Sequence, residues 1–295
     1  MKKVLIFLVA FAFILASCGK VNEQEEVKYS EIFNDRKETI SYLVKNSEED
    51  SASLGKDSEV VKYIVSKKGK IAVYSDSNSE DISNTKLGKV IKMKDKDKMD
   101  YIKNRDKESF SKNHKQMLNF FNASIDEAKD GLKEDGDKTE KEDEIEGKTP
   151  KEYYTEEIKT FTEEAKKVKK MKYKEPSFEK LAIEVSTDET GNRTEEEFIN
   201  IAAQGFDDES KNGIYRDSKE SADPDNYGGY FTNPVSPKEL YDTKIAGLSD
   251  IDYVEEDNDY SDPAYEDYTY LVTEVGDKTE KFKLDQPDDK SVKEK

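Results

Sequence analysis

The chain has 295 residues, with 49 basic and 68 acidic side chains, a net charge of -19, one Cys, one His and no Trp. Leu, Ile, Val and Phe number 61, ten of them within the first 15 residues. Over the rest they form about 18%, a share at which highly charged chains approach disorder, so one large core is excluded and small cores with long solvated faces are expected.

An acidic chain repels phosphate backbones, which excludes nucleic acid as a partner. Only four basic residues are Arg (Arg36, Arg105, Arg193 and Arg216), so bidentate anion recognition is scarce. One Cys rules out an intramolecular disulfide and a Cys-rich zinc site. One His rules out paired-His metal motifs.

Residues 1–18 read MKKVLIFLVAFAFILASC. Lys2 and Lys3 make a positive start, and Val4 to Ala16 is an unbroken apolar run of 13 residues. That is short of the roughly 20 residues that span hydrocarbon, and it fits the apolar region of an export signal. Leu15-Ala16-Ser17-Cys18 then resembles the lipobox of bacterial lipoproteins. The resemblance implies that residues 1–17 are a signal peptide and that Cys18 becomes a diacylglyceryl cysteine, a site of palmitate incorporation. Its implied partner is the membrane, and its implied location the outer face of the cell membrane. Two acyl chains give stable anchoring where one does not. The excess of Lys over Arg, with many Asn, Ile and Tyr, points to a Gram-positive source. In texture the mature region is similar to uncharacterised lipoproteins of low-GC Gram-positive bacteria.

Residues 18–29 read as the lipidated Cys and a flexible tether. Glu38 to Lys45 alternates as a strand. Val60–Ser66 and Lys70–Ser75 flank Lys67-Lys68-Gly69, which predicts a hairpin. Residues 30–94 therefore form a small strand-containing unit. From about Asp97 the period becomes helical, through Phe110, Met117, Phe121, Ile125, Ala128 and Leu132. Lys133 to Lys148 holds eight acids, four Lys and one apolar residue, and reads as a charged loop or a frayed helix end. Thr149, Pro150 and Glu152 predict a capping box that opens a second helix, with Tyr154, Ile158, Phe161, Ala165 and Val168 on one face. Glu175-Pro176 ends it. Residues 95–175 thus read as an antiparallel helical hairpin.

Beyond it, Leu181, Ile183 and Val185 alternate, Gly191-Asn192 marks a turn, and Glu195–Ala202 returns. Ser236-Pro237-Lys238-Glu239 reads as a short capped turn. Tyr268–Val275 and Lys281–Leu284 read as a closing hairpin. Residues 176–286 are expected to be an all-β, antiparallel, sandwich-like domain, and 287–295 a charged tail. The fold class expected is α+β. There is no fixed-period repeat.

Catalytic motifs are missing. Ser53-Leu54-Gly55-Lys56 and Ser109-Phe110-Ser111-Lys112 fit S-x-x-K, but no K-T-G follows. His114 lies off its helix's apolar stripe, with no partner His or Cys. Asp135, Asp137, Thr139, Asp143 and Glu146 match an EF-hand loop by spacing, but Glu140 stands where the turn needs Gly. Ser249–Asp267 holds nine acids and no base, a solvated loop able at most to collect Ca²⁺ weakly. No metal site and no cofactor are expected.

Nine of the 17 Tyr residues lie from Tyr215 onward. Of these, Tyr227, Tyr230, Tyr260 and Tyr265 fall in Gly-, Pro- or Asp-rich segments and are the candidate binding residues. The expected function is a non-enzymatic binding module of the cell envelope, whose partner is an envelope or extracellular protein or a glycan. The alternative is an envelope enzyme or foldase-type accessory lipoprotein. Lys-rich peptidyl-prolyl isomerase lipoproteins are similar in length and polarity, but the His residues and Gly-Gly-Asp-Leu segment of their catalytic domain do not occur in this chain. The sequence does not specify an oligomeric state.

Overall fold

A computed structural model describes residues 24–47, 53–76, 84–138, 145–201, 203–206, 214–216, 228–254 and 265–295. The class is α+β. Strand β1 (Glu26–Val27) and helix α1 (Tyr29–Asn34) lead into β2 (Thr39–Ser47), β3 (Glu59–Lys67), β4 (Lys70–Ser75) and β5 (Thr85–Lys86). Helices α2 (Leu87–Ile91), α3 (Asp95–Asp135) and α4 (Pro150–Lys170) follow. Next come β6 (Glu179–Lys180), β7 (Ile183–Thr187), β8 (Thr194–Asn200), β9 (Gln204–Phe206) and β10 (Ile214–Arg216). The chain closes with β11 (Gly228–Phe231), β12 (Asn233–Leu240), β13 (Thr243–Val254), β14 (Tyr265–Val275), β15 (Lys281–Phe282) and β16 (Val292–Glu294).

The two strand-bearing regions, far apart in sequence, share one sheet. Its order is β12-β13-β14-β2-β3-β4-β6, with β5 also on β3, and β2 pairs antiparallel with β14 from Ser41–Thr273 to Ser47–Asp267. A second sheet runs β11-β8-β7-β16, in which β16 is parallel to β7. The large sheet is covered on both faces. On one, Leu43, Ile64, Val73, Leu248 and Leu271 pack against Ile183, Ile199 and Phe231 of the second sheet, and against Tyr29 and Phe33 of α1. On the other, Tyr42, Val44, Tyr63, Ile245 and Val272 meet Leu87, Val90 and Ile91 of α2 and Ile102 of α3. The alternation of β2 explains this split, since successive side chains leave a strand on opposite faces.

Local chemistry sets the turns. The β3–β4 hairpin closes on Lys68 (φ 54°) and Gly69 (φ 72°), the paired positive φ values that suit two-residue hairpins. Helix α1 docks on this turn, because Gly69 N–H donates to Phe33 O at 2.9 Å and Lys68 N–H to Asp35 O at 2.7 Å. The capping box is formed: Thr149 Oγ1 accepts from Glu152 N–H at 3.3 Å, and Glu152 Oε2 accepts from Thr149 N–H at 3.1 Å.

Helix α3 has 41 residues, about 60 Å at 1.5 Å per residue. Its first half lies on the sheet, and its second half packs along α4. Phe121, Val168 and Met171 are buried in that seam, joined by Phe110, Met117, Phe161 and Ala165. Gly131 lets the Tyr154 ring lie on the α3 backbone, since a Cβ there would come within 2.5 Å of the ring.

Several expectations need correction. Lys281–Phe282 does not fold back on β14 but pairs in parallel with Glu26–Val27. The tether therefore ends by Glu26, and Tyr29 is fully buried. The tail is tied down through β16, with Val292 packed against the core. Ser236–Glu239 lies within β12, where the register shifts between Val235 and Lys238, so the two Pro residues sit on an edge strand that needs no ladder N–H from them. Helix α4 stops at Lys170, five residues before Glu175. The chain beyond it runs extended, back along α3.

Replacing Phe121 with Ala is expected to cost about 3 kcal/mol through lost burial and a residual cavity. Urea denaturation checks this; a loss under about 0.5 kcal/mol would show that the seam contributes no packing.

Candidate functional site

The residues that carry sequence-level expectations fall unevenly on the structure. Leu15, Ala16, Ser17, Cys18, Tyr227 and Tyr260 lie outside the described residues. Tyr265 begins β14, and its side chain is not described. Tyr230 lies on β11, half-buried, with its ring 4.9 Å from that of Phe198. The Lys295 ammonium sits 5.2 Å over the Tyr230 ring and donates to its hydroxyl at 3.2 Å. Tyr230 is therefore already engaged by the chain's last residue. His114 stacks on Phe110, and its Nε2 lies 2.8 Å from Val168 O. It closes the C-terminal end of α4, where carbonyls lack helical partners. Among the described residues, no group of three His, Cys, Asp or Glu side chains is placed to hold a metal ion.

The structure brings together residues that sequence reasoning did not single out. The first turns of α3 lie over the start of β2 and leave a cleft of about 260 Å³. Asp95, Lys98 and Met99 form one wall; Glu38, Ile40, Tyr42 and Glu274 contribute to the others. The Lys98 ammonium, 4% exposed, donates to Glu274 Oε1, and the Tyr42 hydroxyl donates to the same oxygen at 3.1 Å. Asp95 Oδ1 lies 3.9 Å from Lys98 Nζ. Burial, then the Glu274 charge, hold the Tyr42 phenol well above its ordinary value, so it remains a neutral donor. The cleft offers both signs of charge at its floor. Its volume is below that of a typical drug-sized ligand site.

Two turns further along α3 a second network locks the helix to the sheet. Arg105 forks onto Asp76 Oδ1, with Nε at 2.9 Å and the second contact through an Nη. Tyr63 donates to the other Asp76 oxygen at 2.5 Å. Asp106 accepts from Ser75 N–H at 2.8 Å and from the Tyr173 hydroxyl at 2.9 Å. Burial pushes the Asp106 carboxyl up to about 6, against the pull of those two donors. Asp76 is fully enclosed, and a buried carboxylate needs this degree of pairing. The network is structural: it fixes the slope of α3 and thereby the width of the cleft.

One further group stands apart. Burial, then the nearby Lys45 charge, pull the Lys62 amine down to about 8. It is thus part-neutral just above neutral pH.

No protein-family model matches the chain, nor does any curated protein or any solved structure.

Breaking the Arg105–Asp76 pair leaves a buried carboxylate without its counter-charge. Arg105→Ala is expected to cost about 3 kcal/mol or more, with Arg105→Lys intermediate because the fork is lost and the charge kept. Chemical denaturation of the three proteins checks the order. Equal stability of all three would show the pair to be neutral.

Proposed function

We propose that the protein is a lipid-anchored lipoprotein on the outer face of a bacterial cell membrane, and that its folded part is a binding module. The observation that carries this reading is the N-terminal pattern: two Lys, a 13-residue apolar run, then Leu15-Ala16-Ser17-Cys18, with the chain's single Cys at the position that lipidation requires. Among the described residues no helix is long and apolar enough to cross a membrane. Attachment through Cys18 supplies the membrane contact by another route.

A non-catalytic reading suits the chemistry of the cleft. Lys98, Tyr42 and Glu274 satisfy one another there, whereas general acid–base or nucleophilic work needs a group poised toward a substrate. The ligand class in view is an envelope or extracellular protein or a glycan. Polar, aromatic-rimmed surfaces recognise such ligands by hydrogen bonds and stacking.

Cys18→Ala is expected to abolish incorporation of labelled palmitate and to leave the precursor uncleaved. Continued labelling of the variant would overturn the anchoring. For the binding site, capture of one envelope component is compared between Lys98→Met and a Tyr227, Tyr230, Tyr260 and Tyr265→Ser variant. Loss in the first alone assigns the contact to the cleft; loss in the second alone assigns it to the aromatic surface.

A further inference from the structure

Two carboxylic acids lie in the apolar layer between the sheets. Glu197 is on β8, on the same face as Ile199, and Asp285 follows β15; both are fully buried. Asp285 N–H donates to Glu197 Oε2 at 2.8 Å, and Ser30 N–H donates to Asp285 Oδ2 at 2.9 Å. The remaining oxygens, Glu197 Oε1 and Asp285 Oδ1, are buried and have no donor. Asp285 N–H on Glu197 Oε2 places the two carboxyl groups side by side, and two ionised carboxylates have no proton to give to either orphan oxygen. One proton between them satisfies both orphan oxygens and removes one of two buried like charges.

The surroundings offer the pair one cation, shared with another acid. Tyr29 of α1 and Lys28 before it face the pair, and from the loop after β15 comes Asp289. Lys28 is the single cation of that set, and it is committed to Asp289 at 2.6 Å. The pair also sits where four elements meet. Ser30 belongs to α1, Glu197 to β8, and Asp285 links β15 to β16; Thr194 Oγ1 of β8 donates to Asp285 O at 2.6 Å.

We propose that Glu197 and Asp285 form a one-proton latch that fastens the segments 24–34 and 281–295 onto the rest of the fold, and that this latch opens as the pH rises. The sign follows from the chemistry. Burial, together with the neighbouring carboxyl, holds the pair's proton above the ordinary carboxylate range. A group with a raised folded value contributes its full stability below the unfolded value and loses it as pH climbs through the folded one. Opening therefore grows as pH climbs from the ordinary carboxylate range to the folded value, and the latch is fully closed below that range.

Hydrogen exchange on the full chain tests the latch, with rates corrected for intrinsic pH dependence. From the ordinary carboxylate range, about pH 4, upward, opening of 24–34 and 281–295 is expected to rise by up to about tenfold per pH unit while the closed pair keeps its proton and to level off once that proton is lost, while β3 and β4 stay protected. Glu197→Gln supplies an amide N–H in place of the shared proton and is expected to remove that rise. Exchange without pH dependence in the unaltered protein, or the same rise in Glu197→Gln, would overturn the latch. Where the variant does not fold, the ¹³C-labelled carboxyl of Glu197 in the unaltered protein decides: protonation persisting above the ordinary range supports the latch, and ordinary titration overturns it. Added CaCl₂ that restores protection at high pH, reversed by chelation, would assign the site to a cation and also overturn it.

Discussion

Seven backbone pairs, from Ser41–Thr273 to Ser47–Asp267, join a strand near the start of the chain to one near its end. Everything else in the fold is arranged around that ladder. It closes a loop of more than 200 residues, whose entropic cost grows only logarithmically with length, though such non-local pairing slows folding. Once it forms, β2 lies in the interior of a wide sheet and must bury both faces. Its residues allow this: Tyr42 and Val44 point toward the helices, and Leu43 toward the second sheet. A strand polar on one side could not occupy that position.

The composition explains how the rest is fastened. A chain with so few large aliphatic side chains cannot fix every junction by packing alone. The structure uses buried polar pairs where elements meet. Lys98–Glu274 pins the start of α3, Arg105–Asp76 the same helix two turns on, and Glu197–Asp285 the segments 24–34 and 281–295. Each holds charge or shares a proton away from water, where a complete network is rigid and a broken one is costly. The sole Arg on α3 carries the fork because its planar donors match a carboxylate, which Lys does not offer. In a Lys-dominated chain, Arg105 was thus a readable mark of a buried partner, although nothing local named Asp76.

Periodic elements were legible in the sequence because their signals are local. The β3–β4 hairpin, the capping box at Thr149, the apolar stripe of α4 and the alternation of β7 all follow from neighbours in the chain. What escaped was non-local. A two-residue strand such as β15 has no period to read, and its parallel partner β1 lies at the other end of the chain. The same holds for β16, whose charged residues look like a tail until β7 supplies the ladder. Helix α4 outlasts no more than Lys170 because the following segment must return to α3, where Tyr173 meets Asp106 and Glu175 meets Lys103. Glu197 was visible as an acid on the inward parity of Ile199 and Ile201. Its partner, 88 residues further on, was not. The cleft was hidden for the same reason: Tyr42, Lys98 and Glu274 come from three distant elements.

The anchoring proposed above gives the position of the carboxyl pair a mechanical meaning. Glu26, the first residue of β1, lies eight residues beyond Cys18, a reach of at most about 29 Å when extended. On that proposal a lipid on Cys18 would keep the folded body close to the bilayer, and any pull on the anchor would enter through β1. The ladder that receives it is only two residue pairs long, too short to resist alone. Resistance falls on what lies immediately behind it: the Tyr29 hydroxyl bonded to Leu271 O at 2.7 Å, and Ser30 N–H on Asp285. The first ties the leading segment to the large sheet through β14. The second ties it to the carboxyl pair, and through Glu197 to the second sheet. The junction between tether and fold is thus the place where a change in protonation alters how firmly the body is held.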